Sequence, residues 1–213
     1  MPIPFNTYSV YNGLFEEHSD SVKFRNPFKY EIVVGIKLVD ESEKNIFKLM
    51  NHGKTKFQLD PNGILEIPFS FIPSACKMYS CKIIVLITEK IYWTFPIRGI
   101  TEVNEGKVIA SLSTPCRQST SEFVQIGLEG VEFGKNNSFD YSFENIPAQF
   151  EKMIEKFLIV ECTKNSLKHA KDMLEFEFLF KPMKPCKVSF DFLITKQEGS
   201  RWRYRLNIEG TDP

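Results

Sequence analysis

A ten-residue pattern occurs twice in this chain at one fixed separation. The segment 64–73, ILEIPFSFIP, aligns without gaps on 173–182, MLEFEFLFKP, and the two share Leu, Glu, both Phe and the final Pro. The same separation of 109 residues joins Trp93 to Trp202, so both indoles are expected at equivalent core positions. A repeat of this length is a whole domain and not one unit of a solenoid. The sequence therefore predicts two copies of one strand plan, a first domain at 1–103 and a second at 104–213.

Apolar and polar residues alternate through most of the sequence. A period of two places one set of side chains on each face of a β-strand. Residues that favour turns, at 60–63, 134–137 and 197–200, separate the alternating segments. Short antiparallel strands punctuated by turns are typical of a sandwich, so we predict an all-β fold of two tandem β-sandwiches. The clearest alternating segments lie at 30–38, 65–71, 174–180 and 188–194.

One segment departs from the two-residue period. Phe150, Met153, Ile154 and Phe157 recur at helical spacing after Pro147, a residue suited to a first helical turn. We predict one short helix here, in the second domain. Its narrow apolar stripe is expected to pack on its own domain, and a partner-binding face is the alternative.

Charge and hydropathy argue against several classes of function. Lys plus Arg equals Asp plus Glu at 27 each. No net field therefore draws the chain to nucleic acid or to an anionic membrane. The longest aliphatic run, Ile83–Ile87, is far shorter than the roughly 20 residues that cross a bilayer. Residues 1–15 lack the continuous apolar segment of a signal peptide, and we expect a cytoplasmic protein.

The residue types that carry catalysis or bind metals are scattered along the chain. His18, His52 and His169 are isolated and lack the spacing of zinc ligands. The glycines match no phosphate-binding loop. We therefore expect no enzymatic activity, no cofactor, no metal and no small-molecule substrate. The odd number of cysteines predicts free thiols, at Cys76, Cys81, Cys116, Cys162 and Cys186.

A run of alternating basic and aromatic residues near the end of the chain is the candidate binding site. Interleaving of this kind can stack single-stranded nucleic acid. Strand alternation instead places Trp202 and Tyr204 in the core, and it gathers Arg201, Arg203 and Arg205 on the solvated outer face. Nucleic acid is therefore not expected as a partner.

Two roles are open for these three arginines. In the first, they pair with neighbouring acidic residues or guard a strand edge, and substitution changes only stability or aggregation. In the second, they dock onto an acidic protein surface through salt-sensitive contacts. Replacing all three with Glu is then expected to abolish docking and to leave the thermal melt nearly unchanged.

Several segments resemble a known group of domains. Phe-Arg-Asn-Pro at 24–27, the strand at 64–73 and Trp-Thr-Phe-Pro-Ile at 93–97 resemble the ASH and major-sperm-protein-like immunoglobulin domains of ciliary proteins such as Hydin. In the second copy, Leu-Glu-Phe-Glu-Phe at 174–178 and Gly-Ser-Arg-Trp-Arg-Tyr at 199–204 are similar to the repeats of the cilia- and flagella-associated protein 47 family.

The resemblance implies two tandem immunoglobulin-like sandwiches that act as a non-enzymatic scaffold segment. It places that segment at the axonemal central apparatus of motile cilia and sperm flagella, with other axonemal proteins as partners. Tubulin tails are the implied candidate for the three arginines. Similar sandwiches at membrane contacts bind short acidic phospho-motif peptides through a basic groove, for which the candidates here are Lys23, Arg25, Lys29 and Lys37.

Overall fold

The computed structural model describes residues 7–41, 43, 45–51, 53–131, 133 and 138–212. Over these residues the chain forms β-strands and one short helix, which confirms the predicted all-β class. The chain divides into two compact units, unit 1 (Met1–Thr101) and unit 2 (Glu102–Pro213). The division into domains at 1–103 and 104–213 stays a prediction.

Unit 1 consists of two sheets. In the first sheet the order is β1-β8-β7-β3-β5, where β1 runs parallel to β8 and the other neighbours are antiparallel. In the second sheet β6 lies between β2 and β4, with both pairings antiparallel. The strands are β1 Tyr8–Asn12, β2 His18–Arg25, β3 Ile32–Asp40, β4 Phe47–Leu49, β5 Lys56–Leu59, β6 Ile64–Phe71, β7 Met78–Thr88 and the first part of β8 Ile91–Pro115.

The core of unit 1 forms where the alternating apolar side chains of the two sheets meet. On β6, Ile67, Phe69 and Phe71 are fully buried. The ring of Phe71 stacks on Phe47 with the centroids 4.9 Å apart. Gly99 on β8 makes room for this pair, because a Cβ at that position would lie 2.5 Å from the Phe71 ring. The aromatic stack therefore depends on a residue without a side chain.

Unit 2 also consists of two sheets. In the first the order is β10-β13-β14-β8, where β14 runs parallel to β8 and the other neighbours are antiparallel. In the second β12 lies between β11 and β9, with both pairings antiparallel. The elements are the second part of β8, β9 Thr120–Ile126, β10 Phe139–Glu144, α1 Glu151–Phe157, β11 Leu158–Lys164, β12 Leu174–Phe180, β13 Cys186–Lys196 and β14 Arg201–Thr211.

The helix α1 forms where the sequence predicts it. Phe150 occupies the N-cap position, and the backbone N–H of Leu158 closes the last turn on the carbonyl oxygen of Ile154. Ile154 is buried, and Met153 and Phe157 are half-buried. The apolar stripe is thus largely covered within unit 2, as the first of the two interpretations requires.

The two units share one strand plan. In unit 1 the first strand, β1, pairs in parallel with β8, and in unit 2 β8 pairs in parallel with the last strand, β14. The antiparallel hairpin β7–β8 of unit 1 corresponds to β13–β14 of unit 2, and β6 corresponds to β12. Strand β8 is therefore the last strand of unit 1 and the first strand of unit 2.

The segment Asn104–Lys107, predicted as the domain boundary, lies inside β8. The register with β14 shifts here, between Arg203 opposite Asn104 and Arg205 opposite Val108. Gly106 takes a positive φ of 59°, which is a left-handed conformation that glycine adopts at little cost. The turn signal of this segment therefore produces a bulge within a strand.

The two tryptophans occupy matching places in their hairpins but differ in burial. Trp202 lies opposite Ile194 and is fully buried, and its Nε1 donates a hydrogen bond to the carbonyl oxygen of Glu129 at 2.8 Å. Trp93 lies opposite Val85 and packs on Phe24, with ring centroids 4.8 Å apart. Trp93 is only half-buried, so the expectation of a core position is confirmed for Trp202 and is wrong in degree for Trp93.

The substitution Trp202→Ala is expected to lower the free energy of unfolding by about 3–5 kcal/mol, because it empties a large closed site. Trp93→Ala should cost distinctly less, since water already reaches part of that indole. Chemical unfolding of both variants, followed by circular dichroism, measures the difference. Equal losses at the two positions would contradict this account of the cores.

Candidate functional site

The three arginines of the candidate site lie on one face of β14 in unit 2. Their positions alternate with the buried Trp202 and Tyr204, as the two-residue period predicts. Arg201 lies opposite Glu102 on β8, and Arg205 lies opposite Asp191 on β13. The strand register therefore places a carboxylate on each side of the arginine row.

Arg203 is the centre of this cluster and contacts three carboxylates. Its Nε donates to Glu102 Oε1, its Nη1 to Asp191 Oδ2 and its Nη2 to Glu144 Oε2, each at 2.9 Å. A guanidinium presents its donors in a planar fork, and here the donors go to three different strands. We call these residues the arginine cluster: Arg201, Arg203, Arg205, Glu102, Glu144 and Asp191.

The outer arginines complete the cluster. Arg201 Nη2 lies 2.5 Å from Glu102 Oε2, and its Nη1 lies 3.8 Å from Glu144 Oε1. Arg205 Nη2 donates to Asp191 Oδ1 at 3.3 Å. Three guanidinium groups thus face three carboxylates, and the charges of the cluster cancel.

Asp191 is almost completely buried within the cluster. Burial alone would raise its pKa, but hydrogen bonds from Asn145 and Arg203, with the charges of Arg203 and Arg205, hold the pKa below its ordinary value of 3.8. Desolvation would likewise lower the pKa of Arg203, and the carboxylates of Glu102, Asp191 and Glu144 keep it above the usual range. Both groups therefore stay ionised.

The degree of exposure separates the three arginines. The side chains of Arg201 and Arg203 are only 20% and 15% exposed, so the expectation that they are solvated is wrong. Arg205 is 55% exposed. The contacts of the cluster are those that a pairing role requires. A protein-binding role for Arg201, Arg203 and Arg205 stays a prediction, and Arg205 has the most surface to offer a partner.

The acidic partners of the arginines are the residues that sequence reasoning missed. Glu102 precedes Arg203 by 101 residues, and Glu144 precedes it by 59. No local period connects positions so far apart, since only the pairing of β14 with β8 and β13 brings them together. A signal was nevertheless present, because Asp191 interrupts an apolar run in β13 between Phe190 and Phe192.

The four residues proposed for a basic groove do not share one surface. Lys23 and Arg25 are exposed on β2, in the second sheet of unit 1. Lys37 is exposed on β3, in the first sheet, and Lys29 lies in the connection between these strands. The outward faces of two stacked sheets point in opposite directions. The structure therefore gives no support to a groove for acidic phospho-motif peptides.

The residues with reactive potential lie apart from one another. His18 Nε2 is 3.7 Å from Asp20 Oδ2, His169 is exposed, and His52 falls outside the described residues. All five cysteines carry free thiols. Within the part of the chain that the structure describes, no three His, Cys, Asp or Glu side chains form a group that could hold a metal ion. Nor does any helix there have the length and apolar character needed to cross a membrane.

Comparison with known proteins gives one match to a family model. The family described as "CFAP47-like, immunoglobulin-like domain" matches residues 100–211, which is nearly all of unit 2. No curated protein matches the sequence.

Solved structures offer only distant similarity. The ASH/PapD-like domain 7 of human CEP192 is 10% identical, with 45% of this chain and 82% of that chain covered and a TM-score of 0.34. SSP-19, an MSP-domain protein-like family member of Caenorhabditis elegans, is 15% identical, with coverage of 44% and 94% and a TM-score of 0.32. WR4, a C. elegans MSP family member, is 8% identical, with coverage of 45% and 91% and a TM-score of 0.32.

Removing the central arginine should uncover buried charge. Arg203→Met leaves Asp191 without its main partner, and we expect a loss of about 3–5 kcal/mol in the free energy of unfolding. Arg205→Met is the matched control, because an exposed ion pair contributes only about 0–1 kcal/mol. Denaturant titrations of the two variants test this ranking. A smaller loss for Arg203→Met than for Arg205→Met would refute the central role of Arg203.

The lowered pKa of Asp191 predicts how stability depends on pH. A carboxyl group with a lower pKa in the folded state stabilises the fold above its ordinary pKa of 3.8. That contribution is lost as the pH falls through the lowered value. Asp191→Asn should therefore be less stable than the wild type at neutral pH, and the gap should narrow below about pH 4. Thermal melts of both proteins between neutral and acid pH provide the measurement, and a constant gap would speak against the assignment.

The position of Glu102 makes the domain boundary testable. A segment of residues 102–213 keeps the contacts of Glu102 with Arg201 and Arg203, whereas 104–213, the predicted domain, loses them. We expect both segments to fold, with the shorter one melting at least about 4 °C lower. Calorimetry of the two segments decides the matter. Failure of both to unfold cooperatively would contradict the two-domain prediction.

Proposed function

The chain belongs to the CFAP47-like immunoglobulin-like domain family, and from this premise we propose that it is a non-enzymatic scaffold segment of the ciliary and flagellar axoneme. Its place would be the central apparatus of motile cilia and sperm flagella, where it would mediate contacts between proteins. The observation that carries this proposal is the family match over residues 100–211.

The chemistry of the side chains supports a role in binding over catalysis. Burial raises the pKa of the Cys81 thiol to about 12, with a further contribution from the charges of Asp40 and Glu41. Burial also raises the pKa of Cys162. A thiol acts as a nucleophile only as its thiolate, and raised pKa values keep these thiols protonated. The arginines, which could otherwise hold an anionic substrate, are neutralised by carboxylates of their own unit.

The architecture suits a segment that presents surfaces. In each unit the large aromatic side chains point inward, and the outward positions of the strands carry polar, charged or exposed apolar residues. The two copies can differ in these outward residues and keep the same core. Tandem copies of one domain can therefore present different surfaces to different axonemal proteins.

Two assays test the proposal. The chain, fused to a fluorescent protein and expressed in ciliated cells, is expected along the axoneme of motile cilia. The purified chain is also expected to co-sediment with isolated axonemes at low salt. Diffuse staining together with failure to sediment would refute the axonemal assignment, and staining at membrane contacts would favour the peptide-binding alternative.

The same sedimentation assay tests docking through the arginines. Arg205→Glu changes the most exposed arginine of the cluster, whereas changes at Arg201 or Arg203 would also disturb the fold. If the arginines contact acidic tubulin tails, this variant should sediment several-fold less than the wild type, and the loss should grow with salt. Lys152→Glu on α1, also exposed, is the control with the same change in charge. Equal sedimentation of the two variants would eliminate docking through this site.

A further inference from the structure

The outward side of the second sheet in unit 2 combines acidic and exposed apolar residues. The outward side chains of β11, β12 and β9 lie in rows that the strand register fixes, with Ile159 opposite Leu179 and Glu161 opposite Glu177. We call this surface the acidic face. Its members are Ile159, Glu161, Thr163, Glu175, Glu177, Leu179, Ser121, Phe123 and Gln125.

Three apolar side chains of the acidic face are open to water. Phe123 is 56% exposed, Ile159 is 59% exposed and Leu179 is 38% exposed. Leu179 lies beside Ile159 on the neighbouring strand and diagonal to Phe123, which is opposite Glu177. Side chains at such positions are within reach of one another. The three residues therefore form an apolar stripe that crosses all three strands.

The charges of this face are of one sign and lie close together. Glu161 and Glu177 are both exposed and directly opposite each other on adjacent strands. Like charges at such positions destabilise a sheet. Glu175 adds a third carboxylate, which accepts a hydrogen bond from Gln125 Nε2 at 3.2 Å. Among the described residues, none of the three glutamates forms an ion pair with a basic side chain.

The corresponding face of unit 1 lacks this arrangement. Glu66, which the repeat aligns with Glu175, has Lys23 opposite it on β2, and Ser21 Oγ donates to its Oε1 at 2.7 Å. The positions that align with Glu177 and Leu179 carry Pro68 and Ser70. The shared strand plan therefore does not require the acidic face, and the unpaired glutamates are a feature of unit 2 alone.

We propose that the acidic face binds an extended, basic segment of a partner protein in which lysine or arginine alternates with apolar residues. In an extended chain, side chains on one side repeat at about 7 Å, which is also the spacing of Glu175 and Glu177 along β12. Basic side chains at that interval pair with the glutamates, and the apolar residues cover the stripe. The proposal deepens the proposed function, because it assigns a surface and a partner chemistry to the scaffold.

Other occupants are opposed by the charge of the face. A second copy of the chain docked through the same surface would bring glutamate against glutamate. Anionic phospholipid headgroups and nucleic acid phosphates carry the same sign as the face and are repelled. Charge complementarity thus selects a basic protein segment.

Binding to a defined peptide tests the proposal with the whole chain. The probe is a short fluorescent peptide that alternates lysine with valine, and its comparison alternates glutamate with valine. Fluorescence anisotropy should show binding of the lysine peptide at low salt and none of the glutamate peptide. Glu161→Lys combined with Glu177→Lys is expected to weaken binding by about tenfold or more. Glu155→Lys twice is impossible at one position, so the control is Glu151→Lys combined with Glu155→Lys on α1, which should leave binding within about twofold.

Stability measurements show whether the variants act through the surface. The double change at 161 and 177 keeps a like-charge pair, so its Tm should stay close to that of the wild type. Glu161→Lys alone creates an opposite-charge pair with Glu177 and should raise the Tm. Unchanged binding in the double variant, absence of binding by the wild type at low salt, or a lowered Tm for Glu161→Lys would each overturn the proposal.

The axoneme assay separates this inference from the function on which it rests. Sedimentation of the double variant at the wild-type level would sink the acidic face as the docking site and leave the scaffold function standing. Binding of the lysine peptide by a chain that does not sediment with axonemes would have the opposite meaning. The acidic face would then be supported and the axonemal role refuted.

Discussion

The parallel pairing between the first and last strands of each unit is the constraint on which the rest of the structure depends. In unit 1 this pair is β1 with β8, and in unit 2 it is β8 with β14. The pairing holds the terminal strand of each unit in its sheet, which directs the alternating side chains of that strand inward and outward. Because β8 takes part in both pairs, one strand contributes backbone hydrogen bonds to both units.

Strand β14 shows how this pairing creates two different environments on one strand. On the inward side, Trp202 and Tyr204 fill the core. On the other side, Arg203 connects carboxylates from β8, β10 and β13. Buried charges destabilise a protein unless they are paired and hydrogen-bonded, and in the arginine cluster every guanidinium has a carboxylate within reach. The cluster therefore ties four strands together in a specific register.

The comparison between the units separates what the fold needs from what a partner could use. Both copies keep aromatic and aliphatic side chains at the inward positions of β6 and β12, where packing leaves little freedom. The outward positions differ, since unit 1 places Lys23 opposite Glu66 and unit 2 places Glu161 opposite Glu177. Outward residues are free to diverge, which explains how one strand plan can serve different contacts.

The sequence by itself determined the strands, the short helix, the repeat and the inward position of Trp202, because side-chain alternation and helical spacing are local properties of the chain. Only the tertiary structure decided that Asn104–Lys107 lies within a strand, that Trp93 stays half-exposed and that Glu102, Glu144 and Asp191 neutralise the arginines. These features depend on the register between strands that are distant in sequence. A two-residue period says which face a side chain occupies, but it does not say which residue of another strand lies beside it.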